Sequence, residues 1–108
     1  MLLERGAPLD EADPQGRTSL FVAVEKGHVD LVRELIRRGS DVNHASRDGI
    51  RPLMIAIRAE DPEVVKLLIA SGAQVNAQSA SGMSPLLLAA MDGRYESAQI
   101  LIKHGADL

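Results

Sequence analysis

The sequence predicts an all-α protein, a solenoid of stacked antiparallel helix pairs joined by β-turn loops. Three observations lead there. Glycines recur in two interleaved series, Gly16, Gly49, Gly82 and Gly6, Gly39, Gly72, Gly105, and every step in both is 33 residues. A repeat period of about 20–50 residues is the signature of stacked-repeat architectures. Between the glycines, apolar residues return at the i, i+3, i+4 spacing of amphipathic helices. The 45% hydrophobic content includes one Phe, one Tyr and no Trp. A core of Leu, Ile, Val and Ala suits thin helical layers better than one large centre.

The chain opens with Leu2-Leu3-Glu4-Arg5-Gly6, which aligns with Leu35-Ile36-Arg37-Arg38-Gly39, Leu68-Ile69-Ala70-Ser71-Gly72 and Leu101-Ile102-Lys103-His104-Gly105. Each copy is an apolar pair, two mostly polar residues and a glycine that can end a helix in the left-handed conformation. Residues 1–12 are therefore expected to be the tail of a truncated repeat, followed by repeats at 13–45, 46–78 and 79–108. Loops rich in Asp, Asn, Ser and Gly follow each glycine, with Leu9, Val42 and Val75 as apolar anchors.

Each loop gives way to a short helix announced by Thr18-Ser19-Leu20, Arg51-Pro52-Leu53 or Ser84-Pro85-Leu86. Thr and Ser cap exposed backbone amides, and proline suits the first helical turn. The inward stripes are Leu20, Ala23, Val24, then Leu53, Ala56, Ile57, then Leu86, Ala89, Ala90. Tight turns at Gly27-His28, Glu60-Asp61 and Gly93-Arg94 lead to second helices. Their stripes are Val32, Leu35, Ile36; Val65, Leu68, Ile69; and Ala98, Leu101, Ile102. Pairs are expected at 19–26 with 29–38, 52–59 with 62–71, and 85–92 with 95–104. No copy carries enough apolar surface to fold alone, so the copies must stack.

The 33-residue length, the tetrapeptides Thr18-Ser19-Leu20-Phe21, Arg51-Pro52-Leu53-Met54 and Ser84-Pro85-Leu86-Leu87, and the endings Gly39 to Asn43 and Gly72 to Asn76 resemble ankyrin repeats. The resemblance covers the whole chain. Departures are specific: the family's Thr-Pro-Leu-His signature has Phe21, Met54 and Leu87 in place of His, and Arg51 in place of one Thr. Their usual hydrogen bonds must be lost or replaced. Glu60 stands where Gly27 and Gly93 stand, so a shared backbone would put it in the left-handed region at a cost of about 1–2 kcal/mol, offset in part by Asp61 as an N-cap. Asn43 and Asn76 occupy positions similar to those hydroxylated in some eukaryotic ankyrin repeats; a structural hydrogen-bonding role is the expectation.

Reactive constellations are missing from the pattern. His28, His44 and His104 are scattered at non-equivalent positions, without the spacing of metal ligands. The glycines close helices and turn loops; none forms a phosphate loop after a strand. Ser79, Ser81 and Ser84 have no nearby base. No enzyme, cofactor or metal is expected. The chain has no cysteine and a net charge of −3; with two aromatic residues, that argues against nucleic-acid binding. The basic cluster Arg33, Arg37, Arg38 lies beside Asp30 and Glu34, with Glu34 and Arg38 spaced for pairing. The longest apolar run, Leu86 to Met91, is too short to span a bilayer. No signal-peptide pattern opens the chain, and the compartment expected is cytoplasmic or nuclear.

The resemblance implies a protein–protein interaction module that binds through the concave face of its first helices and loop tips. In this register the outward residues are Arg17, Glu25, Lys26, Arg47, Ile50, Arg58, Ala59, Met83, Met91 and Asp92. The alternative is a structural or engineered solenoid segment that stacks on other repeats, fusion partners or itself. The N-terminal end, where Leu2 and Leu3 cover only part of a face, is expected to fray or self-associate weakly. The C-terminal end, with Ser97, Ala98 and Gln99 where the middle repeat has Val64, Val65 and Lys66, is expected to tolerate water. A far-UV circular dichroism spectrum should show helical minima, and a β-dominated spectrum would contradict the assignment.

Overall fold

The computed structural model describes residues 10–106. Within them six helices form three antiparallel pairs: α1 (Ser19–Lys26) with α2 (Val29–Arg37), α3 (Pro52–Arg58) with α4 (Pro62–Ala70), and α5 (Pro85–Met91) with α6 (Tyr95–Lys103). The described residues contain no strand. The first helices stack α1 on α3 on α5, and the second helices form a parallel outer layer. Five of the six helices end one residue before the expected limit, because Arg38, Ala59, Ser71, Asp92 and His104 accept the role of C-cap.

The helix starts follow the sequence chemistry. Thr18 Oγ1 accepts from the Phe21 amide at 3.3 Å, Ser84 Oγ from Leu87 at 3.1 Å, and Asp61 Oδ1 from Val64 at 3.3 Å. Arg51 supplies no side-chain cap. Pro52 opens α3 instead, and Arg51 Nη1 donates to the Asn43 carbonyl at 3.0 Å, tying the helix start to its preceding loop. Glu60 adopts the left-handed conformation, with φ 58°. Its carboxylate pairs with Arg94 Nη1 at 3.2 Å, while Arg94 Nη2 donates to the Arg58 carbonyl at 3.2 Å. One arginine of the third pair thus ties down the strained turn of the second.

Within each pair the core is short. Leu20, Leu35, Leu53, Leu68 and Leu101 are buried, as are Ala23, Ala56 and Ala89 at the helix contacts. Between pairs, Phe21 and Met54 fill the space that a polar side chain would occupy in the motif; they are 5% and 0% exposed. The equivalent Leu87 is 44% exposed. Two members of the expected inward stripes in the last pair, Ala90 and Ile102, are likewise exposed. Their counterparts Ile57 and Ile69 are buried and half-buried in the middle pair, on which α5 and α6 pack, whereas α5 and α6 have no described helix beyond them. This corrects the expectation for the C-terminal end. Ser97 is buried, at 2% exposure, and the exposed large apolar residues among the described residues, Leu87, Met91, Tyr95 and Ile102, all belong to the last pair. Leu2, Leu3 and Leu9, and with them the expectation for the N-terminal end, lie outside the described residues.

Loops join the copies through backbone bonds. Each loop closes on itself, with Asp13, Ser46 and Ser79 amides donating to the Arg17, Ile50 and Met83 carbonyls at 3.0, 2.8 and 2.9 Å. Neighbouring loops are then cross-linked: the Arg47 amide donates to the Gln15 carbonyl at 2.8 Å and the Ala80 amide to the Asp48 carbonyl at 3.0 Å. Gly49 is needed for this approach. It has φ 75°, and a Cβ there would stand 2.6 Å from the Ala80 backbone nitrogen. A second ladder uses side chains: Asp10 Oδ1 accepts from the Asp41 amide at 2.9 Å, and Asn43 Oδ1 from the Gln74 amide at 2.7 Å. Asn43 Nδ2 also donates to the Gly72 carbonyl at 3.0 Å, which gives it the structural role expected.

On the outer layer Glu34 accepts from both Arg37 and Arg38, and Arg33 reaches Glu63 at 3.0 Å. The basic cluster is therefore matched by acid.

Two measurements test this architecture. Met54→Ala should cost about 2–5 kcal/mol in urea unfolding, whereas Leu87→Ala at the equivalent position should cost less than about 1 kcal/mol; equal costs would contradict the difference in burial. The second uses Glu34, whose pKa is pulled down to about 2 by hydrogen bonds from Arg37 and then Arg38. A carboxyl depressed in the folded state stabilises the fold above its ordinary titration range, and that contribution is lost as pH falls toward about 2. Glu34→Gln should therefore flatten the acid side of the stability–pH curve, and an unchanged slope would exclude the pairing in solution.

Candidate interaction surface

The first helices pack against one another more extensively than the second helices do. The free sides of α1, α3 and α5 are the face that the sequence reading expected to be concave. The hairpin loops that precede these helices border the same side.

Three equivalent positions there, Glu25, Arg58 and Met91, are exposed, Met91 at 67%. Lys26, Ala59 and Asp92 form the next exposed row. Among the described residues, the side chains of Glu25, Lys26, Arg58 and Asp92 form no ion pair or hydrogen bond, so their charges are available to a partner. The loop row differs from the sequence expectation. Arg17, Ile50 and Met83 are half-buried at the base of the hairpins, not fully outward. Arg17 Nε is held by Asp13 Oδ2 at 2.8 Å, and the Asp13 carboxyl is lowered in pKa, first by the Arg17 backbone amide and further by its guanidinium. Ser46 Oγ and Ser79 Oγ, at the positions equivalent to Asp13, accept from the Ile50 and Met83 amides at 3.2 Å each. Arg47 is exposed and donates through Nη1 to the Pro14 carbonyl at 3.4 Å.

The sequence reading missed one row. Val22, Ile55 and Leu88 are equivalent and apolar, and all three are half-buried on the first helices. Each directly follows a stacking residue, Phe21, Met54 or Leu87, and lies one turn before the exposed row of Glu25, Arg58 and Met91. The signal was available as three apolar residues at a fixed 33-residue step that the i, i+3, i+4 stripes did not use. This half-buried apolar row and the exposed rows of Glu25, Arg58, Met91 and Lys26, Ala59, Asp92 all lie on the first helices and the residues that end them.

Other surface features converge less. A shallow groove between α4 and α6 is lined by Lys66, Ala70, Glu96, Gln99 and Lys103, whose charges alternate. No group of three or more His, Asp or Glu among the described residues is placed to hold a metal ion. His104 Nδ1 lies 2.8 Å from the Ile100 carbonyl at a helix end. No helix among the described residues is long and apolar enough to cross a membrane.

Comparison with known proteins agrees with this geometry. A family model described as ankyrin repeats in three copies matches residues 38–108, and one described as an ankyrin repeat matches residues 15–47. No curated protein matches the chain. Ankyrin repeats generally serve as protein–protein interaction modules and are typically non-enzymatic. From its 33-residue register, its stacked helix pairs and these two matches, the chain belongs to the ankyrin repeat family.

Proposed function

We propose that the chain is a protein-recognition module that grips a partner segment along the free side of α1, α3 and α5. The observation that carries this reading is the alignment of three rows at one repeat step. Val22, Ile55 and Leu88 offer an apolar floor, and Glu25, Arg58 and Met91 stand exposed above it. Ile50 and Met83 extend the apolar surface toward the loops, with Arg47 beside them.

Packing does not require these exposed identities. Single apolar residues on a surface are ordinary, but Met91 and Arg58 occupy equivalent positions in adjacent repeats and share one floor. Methionine adapts to irregular partner surfaces, and arginine is enriched at interface centres. Unpaired Arg58 faces a partner without first breaking an internal ion pair. The segment that suits this face carries an apolar anchor for the floor and an acidic residue for Arg58 or Arg47. The partner is a protein or peptide; nucleic acid fits poorly, since Glu25 and Asp92 lie in the same rows as the cations.

Replacing Arg58 and Met91 together by Ala should weaken partner binding by at least about 2 kcal/mol if they are hot-spot residues. The melting temperature should stay nearly unchanged, because both side chains are exposed. Calorimetric titration against a partner recovered by affinity capture with the unmodified chain measures the effect. Normal binding by the double variant would move the site to another face.

A further inference from the structure

We propose that Met91 is a reversible oxidation site, and that peroxide, by converting its thioether to the sulfoxide, releases a partner from the free side of the first helices. The oxidation follows from the exposure of Met91 alone; the release rests on the reading of that side as the partner-binding face. The chemistry is a two-electron oxidation of sulfur. The sulfur bonds to one peroxide oxygen, the O–O bond breaks, and the other oxygen leaves as water. A thiol-dependent sulfoxide reductase reverses the step: the oxygen leaves as water while two reductase thiols become a disulfide.

Three observations single out this residue. The chain has four methionines and no cysteine, so no thiolate of its own competes for the oxidant. Among the described methionines, exposure is graded: Met91 is 67% exposed, Met83 is half-buried and Met54 is fully buried. Met83 sits at the base of its hairpin, where its amide and carbonyl both bond to Ser79. Met54 lies on α3, between α1 and α5. Peroxide in water therefore meets Met91 first, Met83 more slowly, and Met54 only when the stack opens. Met1 lies outside the described residues. Finally, Met91 does not owe its exposure to its place in the last pair. Glu25 and Arg58, at the equivalent positions of the first and second pairs, are exposed as well. This side of the first helices is open in all three pairs, and Met91 is the oxidisable member of its row.

The oxidised side chain no longer suits an apolar anchor. A thioether is flexible, apolar and polarisable, and it adapts to a partner's surface. A sulfoxide is polar, and its oxygen loses free energy when it is buried without a hydrogen bond. Met91 follows Leu88 by three residues on α5, so the two share one side of that helix. A partner's apolar group seated there would bury the new oxygen unpaired. The fold has little at stake, because Met91 is the last residue of α5 and most of its side chain is in water. Oxidation thus changes the partner face and leaves the core intact.

Brief treatment of the folded chain with dilute hydrogen peroxide, followed by peptide mass mapping, should place one added oxygen on Met91 before Met83. Met54 should react only in unfolding concentrations of urea. A methionine sulfoxide reductase with a thiol donor should remove the oxygen, and the melting temperature should be the same before and after oxidation. In calorimetric titration, the partner captured with the unmodified chain should bind the oxidised chain about tenfold more weakly, as when an interface anchor is lost. Met91→Leu keeps an apolar side chain without the sulfur; it should bind as the parent does, and peroxide should leave its binding unchanged. The oxidation site is overturned if Met83 or Met54 in the folded chain reacts as fast as Met91, or if the reductase leaves the oxygen in place. The switch is overturned if the oxidised chain binds normally while Arg58→Ala weakens binding, or if peroxide weakens binding by Met91→Leu equally. If neither Arg58→Ala nor oxidation alters binding, the partner lies on another face and the switch falls with that reading, while the mass map still decides the oxidation site.

Discussion

Every helix pair in this protein depends on the face of its neighbour for burial. A helix of seven to nine residues is too short to hold its shape in water on propensity alone. Its stability comes from the side chains that it covers. Met54 shows the dependence most directly: it is fully buried in the middle pair, whose α3 lies between α1 and α5. Leu87, apolar and at the same place in the repeat, is 44% exposed on α5, which has no described helix beyond it. Position in the stack, not residue type, sets the difference.

The backbone ladders turn this stacking into a fixed register. Cross-links from Arg47 to Gln15 and from Ala80 to Asp48 hold successive loops in contact, and the Asp10 and Asn43 side chains repeat the link at the other end of each loop. These bonds require close backbone approach, and Gly49 permits it where any Cβ would collide with the next loop. The free sides of the first helices are consequently held in line. Rows such as Glu25, Arg58 and Met91 arise from that alignment.

The departures from the family signature resolve into substitutions of one kind of contact for another. Phe21 and Met54 exchange a polar network for apolar filling between pairs. Arg51 gives up the cap made by Thr18 and Ser84 and anchors the preceding loop through the Asn43 carbonyl. Glu60 keeps the left-handed turn that glycine makes elsewhere, and Arg94 holds both its carboxylate and the adjacent Arg58 carbonyl. An exposed ion pair alone contributes little, but here the same arginine also satisfies a backbone oxygen at a helix end. Asp61 caps the helix that follows.

The sequence by itself determined the repeat length, the six helices, their caps and most of the core, because these follow from local chemistry: periodicity, capping residues and helix-ending glycines. The Glu34–Arg38 pair and the strained Glu60 were legible for the same reason, being set within one or two turns of chain. The tertiary structure alone decided which members of the repeated stripes are buried. Ala90 and Ile102 read as core from their spacing and are exposed, and Ser97 read as a solvent-tolerant substitution and is buried. It also decided that Arg17, Ile50 and Met83 sit half-buried in hairpins, and that Val22, Ile55 and Leu88 are half-buried on the first helices. Burial depends on what stands opposite a residue in space, and a residue's place within its own repeat carries no record of whether a neighbouring repeat covers it.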